Sequence, residues 1–283
     1  MTAAAQLSCL VLTVGVDLAA EPTGTAVAVV QWTASEARLR DVFRPGDDDT
    51  VIAAIRSADK AGIDCPLGWP DSFVSFVRAH QRGIALGDDK AGDKAGDKAW
   101  RRSLAWRRTD EVVRDATGIV PLSVAADRIG HTAMRCAAIQ ARLAGLGQPV
   151  DRSGAGTVVE VYPAASLKIW GLPWRGYKRS ADVAARATII DRLLVAAPWL
   201  DLGAHVDHRR RSDHALDALI AALTARAAAR GQTSRPTSQQ TAAARTEGWI
   251  ALPTGSLAAL PAADGAPPQH TINYVPQSPS TDM

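Results

Sequence analysis

Three stretches rich in apolar residues, separated by short polar turns, follow one another near the start of the chain. Thr13–Leu18 and Thr25–Trp32 are Val-rich runs of strand length, and Glu36–Phe43 places apolar residues among charged ones. The short connections between them are typical of antiparallel hairpins. An N-terminal capping sequence then predicts a helix over about residues 47–60, and a short strand follows over Ala61–Pro66. The first five elements are therefore expected in the order strand, strand, strand, helix, strand.

The rest of the chain mixes helical and strand patterns. Apolar residues recur with helical spacing over Ser123–Gly145, Asp182–Ala197 and Asp213–Arg230. Thr157–Tyr162 and Gly248–Pro253 have the length and composition of strands. Such a chain is expected to form an α/β fold, with helices packed around one mixed sheet.

Two segments lack any such pattern. A four-residue repeat of Asp, Lys, Ala and Gly covers Asp89–Ala99, and its glycines and charges predict a mobile loop. Pro261–Met283 is rich in Pro, Ser, Gln and Asp, which predicts a disordered C-terminal tail.

Composition restricts the classes of function. The 283-residue chain is 47% apolar and 22% charged, which excludes wholesale disorder. No run approaches the ~20 apolar residues of a membrane span. The net charge of +3 leaves any affinity for nucleic acid to local basic patches. Cys9, Cys65 and Cys136 show neither paired nor metal-ligand spacing, so we expect a protein of the reducing cytoplasm. Because no apolar run is long enough to span a bilayer, we expect no membrane partner.

Four acidic residues stand out by their positions in the predicted elements. Asp17 ends the first strand and Asp64 ends the fourth. Glu160 lies in the later strand, and Asp217 lies in an Ala- and Leu-rich helix. Carboxylates that meet at one place concentrate negative charge, which is costly unless a cation neutralises it. Hard oxygen ligands of this kind favour Mg²⁺ or Mn²⁺.

The same helix carries two further candidates near its start. Asp213 lies four residues before Asp217, so their side chains point in similar directions. His214 lies three residues before Asp217 and can share that edge of the helix.

Each acidic residue also has an ordinary structural role open to it. Asp17 and Asp64 could be turn residues, and Asp213 could be only an N-cap. Glu160 could be a structural hydrogen-bond acceptor. Asp217 could be stabilised by the helix dipole near the N-terminus of its helix.

Several motifs between Val14 and Pro253 carry a resemblance to a known family. They are VGVDLA, IDCPLGWP, LSVAADRIG, VVEVYPAASLKIWGLP, GYKRS, DHALDALIAALTARA and EGWIALP. With these motifs the chain resembles the domain of unknown function 429 family, which is regarded as predicted nucleases of the ribonuclease H-like superfamily. The resemblance implies one ribonuclease H-like domain over residues 8–258, with a helical insertion around residues 70–150.

The resemblance also implies roles for individual residues. Asp17, Asp64 and Asp217 match the superfamily's metal ligands on the first strand, the fourth strand and the last helix. The superfamily has an additional ligand on its last helix, acid or histidine, which His214 or Asp213 would match.

Such a site would hydrolyse phosphodiester bonds with two ions of Mg²⁺ or Mn²⁺, one activating a bound water and the other stabilising the leaving oxygen. Asp17 would bridge the ions, with Asp64 and Asp217 each holding one. His214 could alternatively assist proton transfer, or be a plain surface residue. Glu160 belongs to the family's own motif and is included in the predicted catalytic set.

Basic residues are predicted to bind the phosphates of the substrate, a nucleic acid of either type. Arg209, Arg210 and Arg211 directly precede the acidic helix and are the strongest candidates. The family motifs add Lys178 and Arg128 to the predicted nucleic-acid contacts.

Arginines beside aromatic residues form further basic clusters. Arg107 and Arg108 follow Trp106, an arrangement that suits backbone contacts and base stacking. Solvated loops on an arginine-rich protein are the alternative interpretation of all these clusters.

Two other functions are compatible with the sequence. Sugar kinases and actin share the ribonuclease H-like core, and the turn around Thr23 and Thr25 superficially resembles their first phosphate loop. An ATP-dependent phosphotransferase is therefore one alternative, and a nucleic-acid-binding module without turnover is the other.

Overall fold

The computed structural model of the chain describes residues 10–84, 98–205 and 212–261. The described residues form one six-stranded sheet. Its strands are β1 (Val11–Asp17), β2 (Ala26–Trp32), β3 (Ala37–Phe43), β4 (Lys60–Asp64), β5 (Val158–Glu160) and β6 (Leu200–Asp201). Their order across the sheet is β5-β4-β1-β2-β3-β6. β1, β2 and β3 form an antiparallel meander, while β4 pairs parallel to β1, β5 to β4 and β6 to β3.

Helices cover both faces of this sheet. They are α1 (Asp48–Ser57), α2 (Asp71–Gln81), α3 (Lys98–Ala105), α4 (Arg108–Thr117), α5 (Ile129–Gly145), α6 (Pro163–Ile169), α7 (Val183–Ala196), α8 (Asp213–Ala229) and α9 (Thr241–Glu247). The predicted α/β class and the opening order of strand, strand, strand, helix, strand are confirmed, consistent with a ribonuclease H-like fold. Every described helix is too short or too polar to cross a bilayer.

Strand β2 supplies apolar side chains to both layers of the core. Ala28 and Val30 pack in the cluster that contains α7 and α8, whereas Val27 and Val29 pack in the cluster that contains α1 and α5. Successive side chains of a strand point to opposite faces, so a nearly continuous Val/Ala run indicates a strand buried on both sides.

Helix α8 lies at the centre of one layer. Ser212 is its N-cap, and the hydroxyl of Ser212 accepts a hydrogen bond from the backbone N–H of Ala215 (3.2 Å). Every residue from Ala215 to Ala227 is buried. A helix that is apolar on nearly all sides is stable only inside the fold. The position of α8 is therefore set by the sheet beneath it.

Two glycines let the backbone of α8 lie directly on the sheet. A Cβ atom on Gly15 of β1 would lie 1.9 Å from the carbonyl oxygen of Ala218. A Cβ atom on Gly62 of β4 would lie 2.6 Å from the carbonyl oxygen of Ala221. Any larger residue at either position would push the helix away from the strand.

Gly15→Ala is expected to lower the free energy of unfolding by about 3 kcal/mol, because the added methyl meets backbone atoms that cannot rotate away. Gly145→Ala is the matched control, since Gly145 is exposed at the end of α5 and a Cβ there meets no described atom within 4 Å. That variant is expected to be neutral or slightly more stable. Urea unfolding of both measures the difference, and equal stabilities would contradict the close contact between α8 and β1.

Two predicted elements differ from the structure. The predicted strand Gly248–Pro253 forms only isolated bridges, because Ile250 pairs with Glu160 while Pro253 pairs with Thr233. The helix predicted from Ser123 begins instead at Ile129. A turn precedes it, in which the backbone N–H of Ser123 donates to Asp127 (2.8 Å).

Other predictions fall wholly or partly outside the described residues. The repeat over Asp89–Ala99 is described only at Lys98 and Ala99, which begin α3. The predicted tail Pro261–Met283 is described only at Pro261, which is buried.

Candidate metal centre

Asp17 and Asp64 are the last residues of two adjacent parallel strands. Asp17 of β1 lies directly opposite Asp64 of β4 in the register of the sheet. Because the carboxyl ends of parallel strands meet at one edge, both side chains are placed beside each other by the backbone alone.

Asp217 completes this group from the overlying helix. It lies in the second turn of α8 and is fully buried. One carboxylate oxygen from each of Asp17, Asp64 and Asp217 lies within 4.8 Å of the others. The structure therefore brings together three acids from three separate parts of the chain, which we call the acidic cluster.

Asp217 is held in place by two neighbouring residues of one loop. The hydroxyl of Tyr177 donates to Oδ1 of Asp217 at 2.8 Å, and the ammonium of Lys178 pairs with Oδ2. Tyr177 is itself buried, so its hydroxyl fixes the orientation of the carboxylate.

Burial and mutual repulsion raise the pKa of two of the three acids. Burial raises the pKa of Asp64 well above its usual value, the ammonium of Lys178 lowers it, and the neighbouring carboxylates raise it further. Burial likewise raises the pKa of Asp217 to about 6, with Lys178 opposing and the charge of Asp17 adding to the shift. Metal-free, the cluster is therefore an energetically unfavourable concentration of negative charge.

Metal-free protein is expected to lose stability as the pH rises from about 4 to about 7. Below its pKa of about 6, folded Asp217 retains a proton that the unfolded chain, with an Asp pKa of about 3.9, has released, and the raised pKa of Asp64 acts in the same direction. Each such proton lowers the free energy of unfolding by about 1.4 kcal/mol per pH unit. Urea unfolding in chelator across this range measures the slope, and Asp217→Asn is expected to flatten it. A slope unchanged by that variant would contradict the raised pKa of Asp217.

His214 contacts the cluster through Asp17. Its Nδ1 donates to Oδ2 of Asp17 at 2.6 Å, and this hydrogen bond raises the pKa of the imidazole. Within the described residues His214 and Asp213 are not members of the three-carboxylate group. Asp213 is the first residue of α8, one turn before Asp217. The structure thus places His214 as a partner of one acid and Asp213 at the end of the helix.

Glu160 lies apart from the cluster, in a buried ion pair. Both of its oxygens accept from the guanidinium of Arg107 (2.7 and 2.8 Å), and Oε2 also accepts from the backbone N–H of Leu67 (2.9 Å). Glu160 and Arg107 are each 2% exposed. Burial raises the pKa of Glu160, while Arg107 opposes this shift. With its oxygens occupied by protein donors, Glu160 takes the structural acceptor role left open above.

The predicted phosphate contacts are placed in different surroundings. Arg209, Arg210 and Arg211 lie outside the described residues. Arg128 is exposed directly before α5. The side chain of Lys178 is about half exposed, but its ammonium lies on Asp217 and not in open solvent.

Arg107 is unavailable to a phosphate, which corrects the interpretation of the cluster beside Trp106. It is buried and donates to Asp110, to Glu160 and to the carbonyl oxygen of Glu247. Sequence reasoning missed this network, and it also missed the bond from Tyr177 to Asp217. The bond from Arg107 to Glu160 spans 53 positions and the bond from Tyr177 to Asp217 spans 40. Only the adjacency of Tyr177 to Lys178 within one motif marked that loop.

The donor set of the acidic cluster suits a hard divalent cation. Its three ligand atoms are carboxylate oxygens, the type that Mg²⁺ and Mn²⁺ prefer. Neutralising the cluster would also offset the burial and the mutual repulsion that raise the pKa of Asp64 and Asp217. Asp17, Asp64 and Asp217 are therefore the residues that would hold such an ion.

A comparison with protein-family models gives a match over most of the chain. The model described as "Protein of unknown function (DUF429)" matches residues 15–241, a range that contains all three acids of the cluster. Searches of curated protein sequences and of solved structures gave no match. Because the matched segment spans most of the 283 residues, the chain belongs to the DUF429 family.

Proposed function

We propose that the protein is a divalent-metal-dependent hydrolase of phosphodiester bonds in nucleic acid. The observation that carries this proposal is the convergence of Asp17, Asp64 and Asp217, with ligand oxygens within 4.8 Å, at the carboxyl ends of β1 and β4. The cluster lies in a fold consistent with the ribonuclease H-like class, which adds an analogy of fold to the chemistry of the site.

The chain's own residues would prepare the site for this reaction. A bound Mg²⁺ or Mn²⁺ supplies Lewis-acid polarisation and a lowered pKa for its water. Asp17, Asp64 and Asp217 would hold the ion, and His214 would orient Asp17 through its hydrogen bond to Oδ2. Tyr177 orients the carboxylate of Asp217. Nδ1 of His214 donates to Asp17, so in the neutral ring Nε2 is the nitrogen that could accept a proton from outside the cluster.

The surroundings of the cluster suit a nucleic acid. A cavity of about 110 Å³ lies beside Asp64, with walls that include Leu122, Ile129 and Tyr162. Apolar and aromatic walls of this kind can receive an unstacked base. On the loop that carries Lys178, the guanidinium of Arg175 lies 3.9 Å from the ring centre of Trp174, an arrangement that presents a charge and a flat surface together.

The turn around Thr23 and Thr25, which resembles a phosphate loop in sequence, supports a phosphotransferase less well than the acidic cluster supports a hydrolase. The hydroxyl of Thr25 accepts from the guanidinium of Arg135 (2.8 Å) and from the backbone N–H of Ala19 (3.2 Å). A Cβ atom on Gly24 would lie 2.9 Å from that of Ala19. The turn is therefore closed by protein contacts, which favours the hydrolase over the kinase-like alternative.

The proposal is tested by incubating the protein with labelled single-stranded, duplex, DNA–RNA hybrid and branched substrates. We expect cleavage of at least one of them with Mg²⁺ or Mn²⁺ and none in chelator. Consumption of ATP without cleavage would support a phosphotransferase. Salt-sensitive binding with neither activity would support a binding module.

A further inference from the structure

The ammonium of Lys178 contacts the acidic cluster as its counter-charge. It pairs with Oδ2 of Asp217, whose other oxygen accepts from Tyr177. The charges of Asp64 and Asp17 also act on this ammonium. Three carboxylates in one pocket are costly without a counter-charge, and Lys178 provides one.

Lys178 reaches the cluster from the solvent side on a fixed backbone. Its side chain is 54% exposed, whereas that of Asp217 is 0% exposed. The buried guanidinium of Arg186 donates to the carbonyl oxygens on either side, those of Tyr177 (2.6 Å) and Arg179 (2.7 Å). The lysine side chain can therefore rotate into water while its backbone stays in place.

A divalent cation at the cluster and an ammonium on Asp217 oppose each other. Both require oxygens of the same carboxylate, and two cations in contact with it repel. The neighbouring carboxylates attract a divalent ion more strongly than an ammonium, because the attraction scales with charge. The lysine has an open path to solvent, so it is the group that leaves.

We infer that Lys178 is an internal counter-ion, which neutralises Asp217 in the metal-free protein and is displaced when a divalent cation binds. This inference rests on the proposed metal centre. Displacement places the ammonium at the exposed rim of the site, where it can bind a phosphate of the substrate. Metal binding and the phosphate contact predicted for Lys178 are then coupled, since one ammonium cannot serve both acid and phosphate.

The inference is tested by calorimetric titration of the full chain with Mn²⁺. Lys178→Met is expected to bind Mn²⁺ at least about tenfold more tightly than the wild type, because no ammonium has to leave. Lys178→Arg, which keeps the charge, is expected to bind like the wild type. Arg175→Met is the matched control. It removes a positive charge from the same loop, but the guanidinium of Arg175 stacks on Trp174. Unchanged or weaker binding by Lys178→Met would overturn the inference.

A second measurement uses the wild type and does not depend on the folding of a variant. Acylation of lysines by an amine-reactive reagent, located by peptide mass spectrometry, is expected to increase at Lys178 when Mn²⁺ is added. Lys168, whose ammonium bonds to the carbonyl oxygen of Thr117 and lies 4.6 Å from the ring centre of Trp174, is the internal reference. Equal labelling of Lys178 with and without Mn²⁺ would overturn the inference while leaving the metal centre intact. Absence of Mn²⁺ binding by the wild type would overturn both.

Discussion

Replacing Arg107 by methionine is expected to lower the free energy of unfolding by about 3–5 kcal/mol, the cost of leaving buried charges without a partner. The guanidinium of Arg107 bonds to both oxygens of Glu160 and both of Asp110, and all three residues are at most 2% exposed. Methionine fills similar space but supplies no donor, so two buried carboxylates would lose their counter-charge. Urea unfolding measures the loss.

Arg108→Met is the matched control for this prediction. Arg108 is the next residue, its side chain is 58% exposed, and it forms an ion pair with Glu111 at the surface. Exposed pairs contribute at most about 1 kcal/mol, so this variant is expected to remain close to the wild type. Comparable losses in the two variants would show that the buried network does not hold α4 to β5.

Asp217→Asn is expected to reduce metal-dependent cleavage by about a thousandfold, because several kcal/mol of transition-state stabilisation depend on the ion it would hold. The fold is expected to survive, since asparagine has the same shape and its carbonyl oxygen can still accept from Tyr177. Unfolding in chelator above pH 6 is expected to require at least as much free energy as in the wild type, because a buried charge has been removed. Initial rates and urea unfolding test the two parts separately.

Asp213→Asn provides the comparison on the same helix. Asp213 lies one turn earlier and outside the acidic cluster, so we expect this variant to keep most of the activity. A matching loss would extend the site to the first residue of α8, as the family resemblance allows. Full activity of Asp217→Asn would contradict the proposed function itself.

Local patterns predicted the elements whose neighbours in sequence are also neighbours in space. The meander of β1, β2 and β3 and the helix α1 follow directly from hairpin-length turns and from a cap, in which Asp47 accepts from the backbone N–H of Thr50. Gly248–Pro253 was misassigned because its backbone is divided between two partners: Ile250 pairs with Glu160 of β5, and Pro253 pairs with Thr233. No local pattern records which distant segment a strand will pair with.

The difference between local patterns and distant contacts also decides which parts of the candidate site could be predicted. Asp17 and Asp64 could be predicted together because each ends a strand, and strand ends of a parallel pair share an edge. The role of Glu160 depends on Arg107, which lies 53 positions earlier, between α3 and α4. A carboxylate that binds metal and one that binds arginine look alike in sequence, since only the tertiary partner separates them.

The spacing of the three acids is set by main chain resting on main chain, where α8 crosses Gly15 and Gly62. Libraries that vary exposed positions around the site, for example Leu122, Arg128 and Arg175, can therefore be selected for new substrate preferences while the glycine contacts that set the ligand spacing stay in place. In directed evolution, chemistry and recognition would be separable properties of this molecule.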